Sequence, residues 1–196
     1  MNRFFEVAYR VENGTKIKDA NGDFVKWEVE DDCMPKYATV NAAGADFCAV
    51  EDVTIPSIWQ SFLRFENIKK TLVEKDIKKL FAPTIIHTGI KAKMQDDEVL
   101  TIYNRSSGPK KLGLILANSA GIIDADYYGC DATDGEIMFA YYNIFPFSVN
   151  IHKGDKIGQG IFSKVLKAEN ALVGGLRVGA FGSTTKDWVT KGDYDG

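Results

Sequence analysis

Alternation of apolar and polar residues along the chain predicts a series of short β-strands. Segments 4–11 (FFEVAYRV) and 24–30 (FVKWEVE) alternate in this way, and Asn-Gly pairs stand at 13–14 and 21–22. An Asn-Gly pair between alternating segments is typical of a tight β-hairpin, because both residues tolerate the left-handed backbone that such turns need. We therefore expect an amino-terminal hairpin extension within residues 1–40.

The same pattern predicts strands through most of the remaining chain. The segments concerned are 42–55, 83–91, 99–103, 136–143, 147–151 and 156–166. Twelve per cent aromatic residues and eighteen glycines against five prolines suit many short strands joined by tight turns. At 196 residues the chain is long enough to bury a core of its own. The predicted class is all-β, with a single domain over residues 1–173.

Residues 57–80 differ from this pattern, because their apolar positions recur at steps of three and four. That spacing predicts one substantial α-helix. Such a helix can dock its apolar face on the β domain and solvate its charges. It can also offer a surface to a protein partner, and an exposed patch of Trp59, Phe62 and Phe65 would favour that second interpretation.

The tail over residues 174–196 contains six glycines and few apolar residues, which is the profile of a flexible arm. Within it, Phe181 is surrounded by glycine and hydroxyl residues. Ordering such an arm costs conformational entropy, so an aromatic side chain there makes sense where the arm closes over a planar ligand.

Composition excludes several classes of function. The net charge of −3 and the lack of a basic stripe argue against nucleic-acid binding. The acidic residues near the amino terminus and the absence of a long apolar run argue against a secretory signal and a membrane span, so we expect a cytoplasmic protein. Cys33, Cys48 and Cys130 are far apart, and neither histidine has a ligand-spaced partner, which argues against disulfides and a protein-held zinc ion.

The stretch 103–129 carries the best candidate chemistry. A turn rich in basic and hydroxyl residues, Arg105 to Lys111, precedes an apolar hairpin that ends in Asp124 and Asp126. Arginine, hydroxyls and free backbone N–H groups bind phosphate oxygens well, and a nearby carboxylate can activate water. On one strand the two aspartates would point the same way. From these residues alone, a plain surface turn and a solvated strand end remain open alternatives.

Five short motifs then occur in a fixed order across residues 42–185: AAGADF, NRSS, NSAGIIDADYYG, KGDKIGQGIF and GAFGSTT. This order resembles the trimeric dUTP pyrophosphatase (dUTPase) family, in the form found in phages of Gram-positive bacteria. The resemblance implies a jelly-roll β-barrel that assembles as a homotrimer, with each site built from three chains. It also implies hydrolysis of dUTP to dUMP and pyrophosphate, which limits uracil in DNA and supplies dUMP for dTMP synthesis, in the host cytoplasm where the chain is phage-encoded.

The resemblance further implies a role for each motif residue. Asp124 is expected to hold the water that attacks the α-phosphorus, while Tyr127 packs under the deoxyribose and excludes a 2′-hydroxyl. The expected phosphate ligands are Arg105, Ser106, Ser107 and Gln159, and the expected uracil ligands are Asn118 and Gly121. In the arm, Phe181 is expected to stack on uracil, and Arg177, Gly182, Ser183 and Thr184 to hold the distal phosphates.

Magnesium is expected on the triphosphate and its waters, with Asp46 nearby and no direct protein ligand. The spacing of Arg177 from Phe181 and the residues Ala45 and Thr185 depart from the family pattern.

Two alternatives accompany this interpretation. The dCTP deaminases share the fold and the Arg-Ser-Ser turn, but they have a proton-carrying glutamate three residues before an asparagine. Alignment on Asn143 places Ala140 there, although Glu136 is close enough for a shifted alignment to restore the glutamate. The Pro-Gly that follows the aspartate in deaminases is also absent at Ala125. The other alternative is a regulatory or protein-binding role through the insertion at 57–80.

Overall fold

The computed structural model describes residues 3–68 and 78–170, and strands dominate both ranges. The strands are β1 (Phe4–Val7), β2 (Val11–Glu12), β3 (Thr15–Lys16), β4 (Lys36–Tyr37), β5 (Ala45–Cys48), β6 (Val53–Ile55), β7 (Thr84–His87), β8 (Ile90–Lys93), β9 (Glu98–Asn104), β10 (Leu114–Leu116), β11 (Gly121–Asp124), β12 (Met138–Asn143), β13 (Val149–Ile151) and β14 (Lys156–Lys164). The helical elements are α1 (Ile58–Ile68), a π-helical turn at Gly108–Leu112 and 3₁₀ turns at Asp31–Cys33 and Ala125–Tyr127.

Two antiparallel sheets enclose the main core. One has the strand order β11-β9-β14-β5-β4, and the other has the order β10-β12-β7. Side chains alternate across each strand, so Phe139 and Tyr141 of β12 point inward while their neighbours point outward. They meet Phe47 of β5 and Leu100 and Ile102 of β9, all of them essentially buried. The predicted all-β, jelly-roll-like class is confirmed.

The first amino-terminal turn forms as expected. Asn13 and Gly14 both have positive φ between β2 and β3, as a two-residue hairpin requires. At Asn21-Gly22 only Gly22 has positive φ, in a longer turn that is closed by the hydrogen bond from Asp19 to Asp23, and the segment after it differs from the prediction. Residues 24–30 were expected to form a strand, which is wrong. Val25 donates its N–H to Ile17, whereas Trp27 donates to Ala8, so the segment changes partner after two residues and no continuous ladder develops.

The predicted helix at 57–80 is present as α1 at its start and as helical residues 78–80 at its end, and residues 69–77 lie outside the described part. The indole N–H of Trp59 donates to the carbonyl of Ile144 at 2.9 Å, which docks the helix on the loop after β12. The Phe65 and Phe81 rings are in contact at 5.8 Å. Trp59 and Phe62 nevertheless leave half or more of their surface exposed. No helix in the described ranges is long and apolar enough to cross a membrane.

Residues 114–124 were expected to be an apolar hairpin, but their two strands do not pair with each other. β10 pairs with β12, whereas β11 pairs with β9. The turn between them, with Ser119 at positive φ, therefore carries the chain from one sheet to the other. The prediction failed because the apolar residues of the two strands belong to opposite walls of the same core.

Candidate active site

The five-stranded sheet brings together residues from three distant motifs. Gln159 of β14 lies opposite Asp46 of β5 on one side and opposite Tyr103 of β9 on the other. Arg105 directly follows β9, and its side chain contacts Asp46 at the same end of the sheet. The register of the three strands therefore places an acid, a guanidinium and a carboxamide at one end of the sheet.

Asp46 lies between two cations at this end of the sheet. Its Oδ1 is 3.2 Å from Nε of Arg105, and its Oδ2 is 3.1 Å from Nζ of Lys156. The Asp46 side chain is only 12% exposed, whereas that of Lys156 is 46% exposed. The carboxylate thus orients both cations while their outer faces stay open to a ligand. Lys156 was missed from the sequence, because a lysine beside a turn usually indicates no more than a solvated position.

Gln159 is held in place from two sides. Its Nε2 donates to the carbonyl of Asn104 at 3.2 Å. Its Oε1 packs against Gly44, where an added Cβ would stand only 2.7 Å away. A side chain at position 44 would displace the carboxamide, which explains why the first motif has glycine there.

Residues 105–112, which we call the basic turn, present the predicted phosphate ligands. The N–H of Gly108 donates to the carbonyl of Arg105 at 3.0 Å, so the chain folds back immediately after the arginine. Ser106 is exposed and Ser107 is half-buried just before the π-helical turn. Gly113 ends that turn in the left-handed conformation. The turn therefore offers hydroxyls and a guanidinium on one accessible loop.

Asp124 is the last residue of β11 and lies opposite Val99, at the other end of β9. Asp126 was expected to share its strand face, which is wrong, because the chain enters the 3₁₀ turn Ala125–Tyr127 directly after Asp124. Both aspartates are exposed and still line one open groove of about 510 Å³. The other residues that line this groove are Lys93, Asp96, Glu98, Val99, Ala125, Tyr128, Val165 and Lys167.

The predicted base and sugar contacts lie around β11. Asn118 is exposed in the turn before the strand, and Gly121 pairs with Ile102. A Cβ on Gly121 would come within 2.5 Å of the Ile102 side chain, so the strand needs glycine at this point. Tyr127 is buried in the core, and its hydroxyl donates to the carbonyl of Glu136 at 2.9 Å. Its contact with a deoxyribose stays a prediction.

The two halves of the site do not meet within one chain. Asp124 pairs with Val99, and Asn104 is five residues further along β9. At roughly 3.4 Å per residue, that separation is about 17 Å along the strand. A phosphate ester bound at Arg105 therefore lies beyond the reach of the Asp124 carboxylate of the same chain.

The five predicted arm residues, Arg177, Phe181, Gly182, Ser183 and Thr184, lie outside the described residues. Glu136, the possible deaminase glutamate, is 5% exposed. Both of its carboxylate oxygens are 3.1 Å from Nδ1 of His87, and Oε1 also accepts the N–H of Gly89. The hydrogen bond to Glu136 raises the pKa of His87. These contacts give Glu136 a structural role between β7 and β12.

The acid at the phosphate end is poorly suited to bind a metal ion directly. Both oxygens of Asp46 already face cations. In residues 3–68 and 78–170, the one set of acid and thiol groups close enough to share an ion is Glu30, Asp32 and Cys33. The residues around Arg105 therefore fit a polyphosphate whose oxygens, together with water molecules, hold the magnesium ion.

Comparison with known proteins gives consistent matches. The dUTPase family model matches residues 71–184. A deoxyuridine 5′-triphosphate nucleotidohydrolase of Lactococcus lactis is 36% identical over 77% of this chain and 87% of its own length. The crystal structure of a dUTPase from Streptococcus mutans aligns with a TM-score of 0.60 at 27% identity, over 85% of this chain and 99% of that one.

A further structural match shows the fold alone. A variant of the dUTPase from phage phi11 of S. aureus, whose structure describes a structural Mg(II) ion, aligns with a TM-score of 0.51 at 16% identity. The alignment covers 74% of this chain and 92% of that one.

Proposed function

The chain belongs to the dUTPase family, and from this membership we infer that it hydrolyses dUTP to dUMP and pyrophosphate. At the site, one observation carries the inference: Asp46, Arg105 and Gln159 lie together at one end of the sheet. These residues come from three motifs that are separated by tens of residues. Together with Lys156, they place two cations and a carboxamide at one end of the sheet, which suits the binding of a triphosphate. The reaction lowers the dUTP available for incorporation into DNA and supplies dUMP.

We assign the chemical step to Asp124. A carboxylate at a strand end, exposed in a groove, can hold a water and take its proton as the oxygen attacks the α-phosphorus. Arg105, Ser106, Ser107 and Gln159 bind the phosphates and keep the leaving pyrophosphate in line. Asn118 and the backbone at Gly121 read the uracil edge, and Tyr127 limits the room beneath the sugar.

The site takes its parts from several chains of a homotrimer. Asp124 lies opposite Val99, about 17 Å along β9 from Asn104. This separation supports the assembly, because Asp124 and Arg105 of one chain cannot both contact the same nucleotide. A second chain that presents its Asp124 groove to the basic turn of the first completes the site. Each residue then serves the reaction without any rearrangement of the sheet.

The carboxyl-terminal arm, residues 174–196, closes the site over a single domain of residues 1–173. Phe181 covers the uracil, and Arg177, Gly182, Ser183 and Thr184 hold the outer phosphates. Closure excludes water, which strengthens the charge interactions between the basic turn and the nucleotide.

Magnesium would be carried by the triphosphate and its waters, with Asp46 nearby. When bound, the ion neutralises phosphate charge and fixes one conformation of the triphosphate. Asp46 contributes by keeping Arg105 and Lys156 oriented toward the phosphates.

The test is pyrophosphate release from dUTP, dCTP, dTTP and UTP, each with magnesium and at equal concentration. We expect kcat/KM for dUTP to exceed that for each other nucleotide by at least about 10²-fold, since the base edge and the sugar are both read. Ammonia release from dCTP serves as a separate readout for deamination. Equal turnover of the four nucleotides, or deamination of dCTP, would contradict the proposed function.

A further inference from the structure

We propose that Asn104 is a positioning residue for nucleotide binding, which fixes the basic turn and Gln159 relative to each other; the role rests on the function proposed above. Asn104 is the last residue of β9 and stands directly before Arg105. Its Nδ2 donates to the carbonyl of Leu114 at 2.7 Å, and Leu114 is the first residue of β10. The Asn104 side chain therefore joins the two strands from which the basic turn leaves and to which it returns.

The carboxamide also occupies a fitted space beneath the basic turn. A Cβ added to Gly108 would stand 2.3 Å from Oδ1 of Asn104 and 3.1 Å from its Cγ. On its other side, Oδ1 lies 3.4 Å from the hydroxyl of Tyr141, which donates to the carbonyl of Ile157 at 2.8 Å. The turn backbone at Gly108 thus packs directly against the Asn104 carboxamide, which sets the distance between the turn and the sheet.

The backbone of the same residue positions the third phosphate ligand. The carbonyl of Asn104 accepts the hydrogen bond from Nε2 of Gln159. Asn104 consequently contacts the turn through its side chain and Gln159 through its main chain, while its peptide bond leads into Arg105. Removal of the Asn104 side chain would therefore weaken phosphate binding even though Asn104 itself does not contact the nucleotide.

A purely structural role would give a different result from a positioning role. An asparagine that closes a turn often contributes to stability alone. Positioning predicts instead that its removal weakens binding in proportion to the number of phosphates that the turn must hold. We therefore compare KM for dUTP with the inhibition constant for dUMP, which carries one phosphate.

The first variant is Asn104→Ala, which removes the bond to Leu114 and the support under Gly108. We expect KM for dUTP to rise about tenfold, while the inhibition constant for dUMP rises about twofold. The near-isosteric and neutral Asn104→Leu, which lacks the Nδ2 donor but fills a similar space, should shift the two constants in the same direction. It keeps the proposal testable where the alanine variant fails to fold.

Gly108→Ala supplies an independent perturbation, because its Cβ collides with the Asn104 carboxamide. Alone it should raise KM for dUTP. Combined with Asn104→Ala it should add little, because the colliding group is gone. Full additivity of the two changes would show that the contact between Gly108 and Asn104 does not set the position of the turn.

Thr88→Val is the matched control for lost stability. It removes the buried hydrogen bond from the Thr88 hydroxyl to the carbonyl of Ile137 and lowers the melting temperature, but it leaves the Asn104 bonds to Leu114 and Tyr141 in place. We expect its KM for dUTP to stay within about twofold of the wild type.

Provided that the wild type is active, the proposal is overturned by an unchanged KM for dUTP in Asn104→Ala or by an equal rise of the dUMP inhibition constant. It is likewise overturned by full additivity with Gly108→Ala or by an equal rise of KM in Thr88→Val. A wild type that does not hydrolyse dUTP would instead contradict the proposed function itself.

Discussion

Complementation between two inactive variants tests whether Arg105 and Asp124 act from different chains. Arg105→Ala removes the guanidinium that faces Asp46, and Asp124→Asn removes the carboxylate at the opposite end of β9. Each homotrimer should lose activity by about 10²- to 10⁴-fold, the usual contribution of such groups. The about 17 Å between the two ends of the strand predicts that every site combines one residue from each of two chains.

Random assembly of equal amounts then restores a definite fraction of sites. A site is intact when the chain that supplies Arg105 carries Asp124→Asn and the chain that supplies Asp124 carries Arg105→Ala. Each condition is met with even odds, so about one quarter of wild-type activity should return.

The assay is pyrophosphate release after the two variants are unfolded together and refolded. Each variant refolded alone gives the baseline. Mixed activity no higher than the mean of the two baselines would refute the idea that the site is shared between chains.

Three further predictions follow from individual groups. Asp124→Asn should leave dUTP binding within about threefold of the wild type by calorimetry while turnover falls about 10²- to 10⁴-fold; near-normal turnover would remove Asp124 from the mechanism. Truncation before Gly174 should abolish most activity without changing the number of chains per assembly in light scattering; full activity of the truncated chain would contradict closure by the arm. The hydrogen bond from Arg3 lowers the pKa of Glu98 to about 2, so this carboxylate stabilises the fold at neutral pH and the contribution is lost as pH falls toward about 2. Arg3→Ala should therefore show a smaller loss of urea midpoint on acidification than the wild type, and parallel curves would exclude this coupling.

Strand positions were largely predictable because each is set by local alternation and by turn chemistry. The Asn13-Gly14 hairpin has the positive φ values that its sequence requires. β12 and β14 fall within the segments expected from alternation. The segment 24–30 was not predictable, because its pairing partners, Ile17 and Ala8, are chosen by tertiary contacts.

The partners of each strand could not be read from the sequence. The apolar residues of β10 and β11 satisfy a hairpin pattern equally well, yet the strands join different sheets. The same local rule misplaced Asp126, since alternation holds only as long as the strand continues and β11 ends at Asp124.

The candidate site was identified in its residue types but not in its supporting contacts. Arg105, Asp46 and Gln159 stand in recognisable motifs, and the structure brings them together. Lys156 and Asn104 carry no local signal, because their importance arises from strand register and from the packing of Gly108 on one amide. Such contacts join residues far apart in sequence, so only the folded chain displays them.

The attack of water on the α-phosphorus of dUTP is tested most directly by hydrolysis in oxygen-18 water. The products are separated, and the label is located by mass spectrometry. Attack at the α-phosphorus, with Asp124 holding the water, predicts one labelled oxygen in dUMP and none in pyrophosphate from a single turnover. Label in pyrophosphate with unlabelled dUMP would show attack at the β-phosphorus and would contradict the assignment of the site.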